Sequence, residues 1–138
     1  MEYPLVKACI DLNAVQQNIQ NLNAMTDPNC KFMAVVKADA YGHGAVPVAK
    51  KAIESGIDFL GVARLEEAVE LRNAGISAPI LIFGYIHPSQ AAKINTLNLI
   101  TSVYGFKMAS QLSSAAAGLD KRVKIHLKVD TGMGRVGM

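Results

Sequence analysis

Mostly uncharged, apolar segments alternate with amphipathic segments along almost the whole chain. Short apolar runs of this kind are typical of strands that are buried in a sheet. The pattern predicts about five strands, at residues 32–37, 59–63, 80–83, 97–103 and 123–129.

The amphipathic segments between these runs predict helices. Asp11 can cap the first helix, because the apolar residues that follow it keep one face: Leu12, Val15, Ile19 and Leu22. Further helices are predicted at 46–55, at 65–74, after Pro88 and at 106–117. Strands that alternate with helices pair in parallel through right-handed crossovers. This pattern fits both a (β/α)₈ barrel and an open doubly wound sheet.

Composition narrows the class of protein. The chain is 51% hydrophobic and 18% charged, which is typical of a folded globular chain. Its net charge is only +3 and its basic residues are spread out, so no nucleic-acid partner is expected. The first residues lack the features of a signal peptide, and no apolar run approaches the roughly 20 residues of a membrane helix. Cys9 and Cys30 are expected to be buried thiols, in keeping with a cytoplasmic location.

One segment near the start of the chain carries candidate chemistry: Val36-Lys37-Ala38-Asp39-Ala40-Tyr41-Gly42-His43-Gly44. A lone lysine after a strand is usually a solvated surface residue. Lys37, however, ends a buried strand where a packed scaffold meets a pocket, and a lysine amine can condense with an aldehyde there. The Gly-His-Gly turn lets the backbone bend close to a bound group before the next helix begins.

A second segment of interest lies at the end of the chain: Lys128-Val129-Asp130-Thr131-Gly132-Met133-Gly134-Arg135-Val136-Gly137. The first segment resembles the part of alanine racemases that contains the cofactor lysine, on which pyridoxal 5'-phosphate (PLP) is held. The second segment resembles another motif of the same family, and the two occur in the expected order. The chain is therefore similar to the amino-terminal part of these fold-type III PLP enzymes.

The resemblance favours one of the two folds, because this family builds its cofactor domain as a (β/α)₈ barrel. The chain is then expected to be a partial TIM barrel with about the first five βα units and parallel strands. A complete barrel takes about 250 residues. Residues 1–138 are accordingly expected to be the amino-terminal portion of the PLP-binding barrel domain, without the remainder of the barrel and the carboxy-terminal domain.

The resemblance also implies roles for individual residues. Lys37 would hold PLP and move the substrate's α-proton on one face. Tyr41 matches a tyrosine that hydrogen-bonds the cofactor phosphate, although an aromatic ring packed under the loop is the alternative. Arg135 matches an arginine that binds the cofactor's phenolic oxygen or the substrate carboxylate, with a solvated arginine as the alternative. Lys128 matches a lysine that several members carry as a carbamate, and Asp130 is expected to cap backbone amides.

Racemisation needs a second base on the opposite face of the substrate. In the family this base is a tyrosine from the carboxy-terminal part of the partner subunit, and no residue of this chain matches it. The chain's own tyrosines are therefore not assigned to that role: Tyr3, Tyr41, Tyr85 and Tyr104. The three histidines, His43, His87 and His126, lack the spacing of a metal site, and no metal is expected.

By this resemblance, the parent enzyme interconverts L-alanine and D-alanine as a cytoplasmic homodimer and supplies D-alanine for peptidoglycan. The isolated chain of 138 residues is expected to be inactive. Two alternatives stay open: a non-catalytic truncated fragment, and a related amino-acid racemase of broad specificity.

An incomplete barrel should also leave apolar strand surface open to solvent. The residues expected to carry this surface are Ile80, Leu81, Ile82, Ile125 and Leu127. The chain is expected to self-associate through it.

Overall fold

The computed structural model describes residues 6–119 and 122–138, so Tyr3 and the rest of the first five residues lie outside the described part. The described part contains five strands and six helical segments, of which the short second one is a left-handed turn. A 3₁₀ turn at Pro88–Gln90 precedes the fifth helix. In chain order the elements are α1 Leu12–Ala24, β1 Met33–Val35, α2 Lys37–Gly42, α3 Ala45–Glu54, β2 Phe59–Val62, α4 Leu65–Asn73, β3 Ile80–Ile82, α5 Ala91–Thr96, β4 Ile100–Val103, α6 Phe106–Ala116 and β5 Lys124–Leu127.

The five strands form one parallel sheet in the order β1-β2-β3-β4-β5. A doubly wound sheet reverses its strand order at a switch point, and this sheet has no reversal. Right-handed crossovers then place the helices on one face of the sheet. The predicted fold, a parallel partial barrel, is confirmed.

The sheet is curved. The rings of Phe59 on β2 and His126 on β5 have centroids 6.4 Å apart. Three strand spacings separate these strands, which would be about 14 Å in a flat sheet. The face that carries both rings is therefore concave, as the inside of a barrel is.

The core lies between the sheet and the helices. Leu60 and Val62 of β2 and Ile80 and Ile82 of β3 are fully buried against α3 and α4. Small residues on these helices let them approach the strands closely: Ala49, Ala52 and Ala68. The core therefore joins β2 and β3 to the two helices that cover them.

The prediction of exposed strand surface is wrong for β3 and right for β5. Ile80, Leu81 and Ile82 are buried, because β3 is a central strand with a neighbour on each side. Ile125 and Leu127 are 44% and 63% exposed, because β5 is an edge strand. Of the five predicted residues, only the two on β5 therefore carry open apolar surface; Val35 on β1, the other edge strand, is also 38% exposed.

Two smaller predictions have opposite outcomes. The Asp11 side chain caps α1 as predicted, and accepts hydrogen bonds from the backbone N–H groups of Asn13 and Ala14. Cys9 and Cys30 are exposed and not buried, because they lie in the irregular segments on either side of α1 and neither belongs to the core. In the described part of the chain, no helix is both long enough and apolar enough to span a membrane.

Candidate functional site

Lys37 lies two residues after the end of β1, at the carboxyl end of the sheet. The preceding residue, Val36, is 1% exposed and donates its N–H to the carbonyl oxygen of Gly61 on β2. Lys37 itself is half-buried, and its Nζ lies 5.9 Å from the centroid of the Tyr41 ring. The structure thus brings together two of the four predicted site residues.

The backbone after Lys37 forms a left-handed helical turn. Four residues in succession adopt φ between 50° and 57° and ψ between 38° and 51°: Ala38, Asp39, Ala40 and Tyr41. These angles match the left-handed helix, which costs roughly 1–2 kcal/mol for each residue with a side chain. The predicted bend at Gly42 and Gly44 is confirmed, because φ is 85° and 88° at these two glycines, but the positive φ angles already begin upstream of it, at Ala38.

Two carboxylates hold this turn. Glu67 of α4 accepts a hydrogen bond from the Ala38 N–H through Oε1, at 2.8 Å. Its Oε2 accepts from the N–H groups of Ala63 and Arg64, which follow β2, at 2.7 and 3.0 Å. Asp39 accepts from the Ala45 N–H at the start of α3, at 2.6 Å. The turn is therefore tied to two different helices.

The hydrogen bonds stabilise the charged form of Glu67. Partial burial raises the pKa of this carboxyl, but the N–H groups of Ala38, Arg64 and Ala63 and the Arg64 charge outweigh burial. Its pKa consequently lies below the ordinary value. Glu67 is therefore an anion over the neutral pH range.

The second segment forms a tight loop after β5. Asp130 accepts hydrogen bonds from the backbone N–H groups of Gly132 and Gly134 at 2.9 and 3.1 Å, and from Arg135 at 3.1 Å. These bonds, led by those from the two glycines, hold the pKa of Asp130 below its usual range. The predicted role of Asp130 in capping backbone amides is confirmed.

Lys128 and Arg135 lie at the same end of the sheet as Lys37, but on its opposite edge. Lys128 is half-buried, and its backbone N–H donates to the Val103 carbonyl oxygen at 2.8 Å. Arg135 is exposed in the loop that Asp130 organises. Within residues 6–119 and 122–138, neither side chain forms a hydrogen bond or an ion pair with Lys37 or Tyr41.

Sequence reasoning missed Glu67 and Asp39. Glu67 stands three residues after Arg64, the position from which a glutamate reaches back to the first N–H of a helix. That signal could have predicted the Arg64 bond, but not the bond to Ala38. Asp39 caps a helix that begins six residues later, a spacing for which the sequence offers no signal.

Comparisons with known proteins agree with the resemblance that the two motifs carry. The sequence model described as "Alanine racemase, N-terminal domain" matches residues 10–138. The chain is 50% identical over 128 residues to the alanine racemase of Desulforamulus reducens. The aligned residues make up 93% of this chain and 35% of the relative. It is 48% identical over 128 residues to that of Methanococcus maripaludis, which covers 93% and 34%.

Solved structures give the same picture. The alanine racemase from E. faecalis superposes with a TM-score of 0.85 at 38% identity, over 93% of this chain and 35% of that one. The alanine racemase from Bacillus anthracis, with bound L-Ala-P, has a TM-score of 0.88 at 36% identity, over 94% and 33%. The sheet thus matches the amino-terminal part of the barrel in these structures, and the chain spans about a third of the length of its relatives.

Proposed function

The chain belongs to the family of the alanine racemase amino-terminal domain, and from this premise we propose that it is the cofactor-binding part of a PLP-dependent enzyme that interconverts L-alanine and D-alanine. Residues 1–138 would form the amino-terminal portion of the PLP-binding barrel domain. The observation that carries the proposal is the position of Lys37, half-buried at the carboxyl end of β1 with Nζ 5.9 Å from the Tyr41 ring centroid. Active sites of (β/α)₈ barrels lie at this end of the strands.

The residues at this end fit the chemistry of PLP. The Lys37 amine can condense with the cofactor aldehyde and release water. Tyr41 is 61% exposed, so its phenol is free to donate a hydrogen bond to the cofactor phosphate. Arg135 offers a planar guanidinium for the cofactor's phenolic oxygen or for a substrate carboxylate. When bound, PLP would draw electrons from the α-carbon of an amino acid and so acidify its α-proton.

Lys37 would then have a second role. The Lys37 amine would also serve as the base that removes or returns the substrate's α-proton on one face. The base for the opposite face would be a tyrosine from the carboxy-terminal part of the partner subunit in a homodimer. Tyr41 is not proposed for this step, because it lies beside Lys37 on the same loop.

We extend the proposal to Lys128 as a carbamate. Its half-buried amine would add CO₂ and release a proton, and the resulting anion would orient the Arg135 guanidinium. Carbon-13 bicarbonate should then give a carbamate NMR signal that disappears in Lys128→Ala. The same spectrum from both proteins would contradict this part of the proposal.

In the cell, the proposal places the enzyme in the cytoplasm, where it supplies D-alanine for peptidoglycan. Its support is that relatives 48% and 50% identical are alanine racemases. Loss of the gene should make growth depend on added D-alanine, and growth without it would contradict this role.

The decisive experiment is covalent labelling of Lys37. Borohydride adds hydride to the carbon of the bond between Lys37 and PLP, while nitrogen takes a proton from water, and the cofactor becomes fixed on the lysine. Peptide mass mapping should find the label on Lys37 and lose it in Lys37→Ala. The matched control is Lys50→Ala, which removes an exposed lysine of α3. Labelling that survives Lys37→Ala would overturn the assignment.

The isolated chain of 138 residues should itself form no measurable D-alanine, because the proposed second base is not among its residues. A chiral assay of alanine after long incubation measures this. Racemisation that Lys37→Ala abolishes would place a second base within these residues.

A further inference from the structure

Glu67 connects two loops that converge at the end of the sheet where Lys37 lies. One carboxylate oxygen accepts from the Ala38 N–H, at 2.8 Å, in the peptide that directly follows Lys37. The other oxygen accepts from Ala63 and Arg64, at 2.7 and 3.0 Å, where β2 passes into α4. A single side chain therefore fixes the loop after β1 against the loop after β2.

The loop after β1 needs such a fixed point. The left-handed turn begins at Ala38, the first of four residues with positive φ, and none of the four is glycine. Such a turn persists only where its surroundings hold it. The hydrogen bond from the Ala38 N–H to Glu67 holds the first peptide of the turn. The hydrogen bond from the Ala45 N–H to the Asp39 side chain ties the turn to the start of α3.

We propose that Glu67 is a positioning residue, which sets the direction of the Lys37 amine by holding the Lys37–Ala38 peptide against the end of β2. The inference rests on the proposed role of Lys37 as the PLP lysine. Glu67 does not touch the cofactor; it fixes the backbone from which Lys37 reaches it. Its effect should therefore appear in the rate at which Lys37 reacts with PLP.

Glu67→Gln isolates the hold on the Lys37–Ala38 peptide, because it replaces one hydrogen-bond acceptor while it keeps the size and shape of the side chain. The glutamine oxygen can replace only one of the two carboxylate oxygens, and the NH₂ group must take the other place. The favourable orientation keeps the oxygen on the Ala63 and Arg64 side, where two N–H groups donate. The NH₂ group then faces the Ala38 N–H, and that bond is lost.

Two further variants complete the set. Glu66→Gln is the matched control, because it removes the same charge one residue earlier in α4, from an exposed side chain. Glu67→Asp keeps the charge but shortens the side chain by one methylene, so that it no longer spans both loops. Unfolding curves of all four proteins identify any variant that fails to fold.

Three measurements are made on the complete chain. The first is hydrogen exchange of the Ala38 amide. The second is the rate of borohydride trapping of PLP on Lys37, and the third is reductive methylation by formaldehyde, taken as the ratio of Lys37 to exposed Lys50. A general loosening of the folded chain would raise the labelling of both lysines together. A change in the direction of the Lys37 amine would alter the ratio of Lys37 to Lys50 labelling.

Glu67→Gln and Glu67→Asp should speed Ala38 exchange and slow PLP trapping on Lys37, each by about tenfold, the factor expected for one lost hydrogen bond. Glu66→Gln should match the wild type. The proposal would be overturned if PLP were trapped on Lys37 as fast in both Glu67 variants as in Glu66→Gln. This would hold even if the Ala38 amide exchanged faster in the Glu67 variants.

Failure of the proposed function is recognised separately. In that case PLP labels no lysine of the wild-type chain after borohydride, and Lys37 loses its cofactor role. The formaldehyde ratio then decides the positioning claim. A ratio changed in Glu67→Gln and not in Glu66→Gln supports it, and an unchanged ratio overturns it.

Discussion

At the scale of single residues, Arg72 shows how one side chain can hold several backbone groups. Its guanidinium donates to the carbonyl oxygens of Ile76 and Ala78 at 2.7 and 2.8 Å, and of Leu97 and Asn98 at 2.9 and 3.2 Å. These carbonyls precede β3 and β4, at the end of the sheet opposite Lys37. Burial lowers the pKa of the Arg72 guanidinium, which reflects the cost of taking this charge out of water. The four bonds offset that cost.

Arg72→Lys should destabilise the chain, because an ammonium group has only three donors and lacks the planar fork that reaches four carbonyls. The expected loss in the free energy of unfolding is about 1–3 kcal/mol, measured by urea unfolding. Arg122→Lys, at an exposed arginine, is the matched control and should change little. Equal stability of the two variants would mean that water replaces the Arg72 bonds without loss.

At the scale of elements, the left-handed turn after β1 is the least expected piece of the fold. Ala38 is exposed and has φ 50° and ψ 51°, so it bears the conformational cost without gaining buried contacts. Glycine adopts these angles without that cost. The turn is therefore a place where a smaller residue should stabilise the chain.

Ala38→Gly should raise the free energy of unfolding by about 1 kcal/mol, the lower end of the cost of one left-handed alanine. Ala115→Gly, at an exposed position of right-handed α6, should lower it by about 0.5–1 kcal/mol. Opposite signs for one substitution make the pair a sensitive test in urea unfolding. A loss of stability at both sites would show that the turn is not left-handed in solution.

The loop after β5 should respond to pH. The pKa of Asp130 is lowered in the folded chain, so the order that it gives is present above its ordinary pKa of about 3.9. That order is lost as pH falls through the folded pKa. Amide NMR shifts of Gly132, Gly134 and Arg135 should therefore move together at acidic pH, and should be insensitive to pH in Asp130→Asn. Independent movement of the three amides would argue against a shared carboxylate.

The strands and helices were predictable because apolar runs and amphipathic segments are local patterns. The direction of the backbone at 38–41 was not, because no glycine marks it and its support comes from Glu67, far along the chain. The burial of Ile80, Leu81 and Ile82 was also missed. An apolar run predicts a strand, but it does not distinguish a central strand from an edge strand.

At the scale of the whole molecule, the exposed edge strand β5 is the feature that favours association with other chains. Ile125 and Leu127 on β5 are exposed, and the backbone of an edge strand offers unpaired groups to another chain. A stable interface buries about 800 Å² on each partner. The chain should therefore self-associate through this edge at high concentration.

Leu127→Lys should weaken that association, because a charged side chain on an edge strand opposes pairing. Light scattering over a concentration series measures the effect. Met25→Lys is the control, since Met25 is 84% exposed beside α1 and distant in sequence from β5. A wild-type chain that stays monomeric at high concentration and unfolds cooperatively would contradict the prediction.

The sequential strand order has a consequence for synthesis on the ribosome. Each strand pairs with the strand made just before it, as in the pairs Met33 with Phe59, Leu60 with Ile80, Leu81 with Ile100 and Ile100 with Lys124. A ribosome adds about 5–20 residues per second, so a new strand can emerge within seconds of its partner. The nascent chain can thus extend its sheet one strand at a time from β1 to β5, because each new strand pairs with residues only about 19–26 positions earlier in the chain.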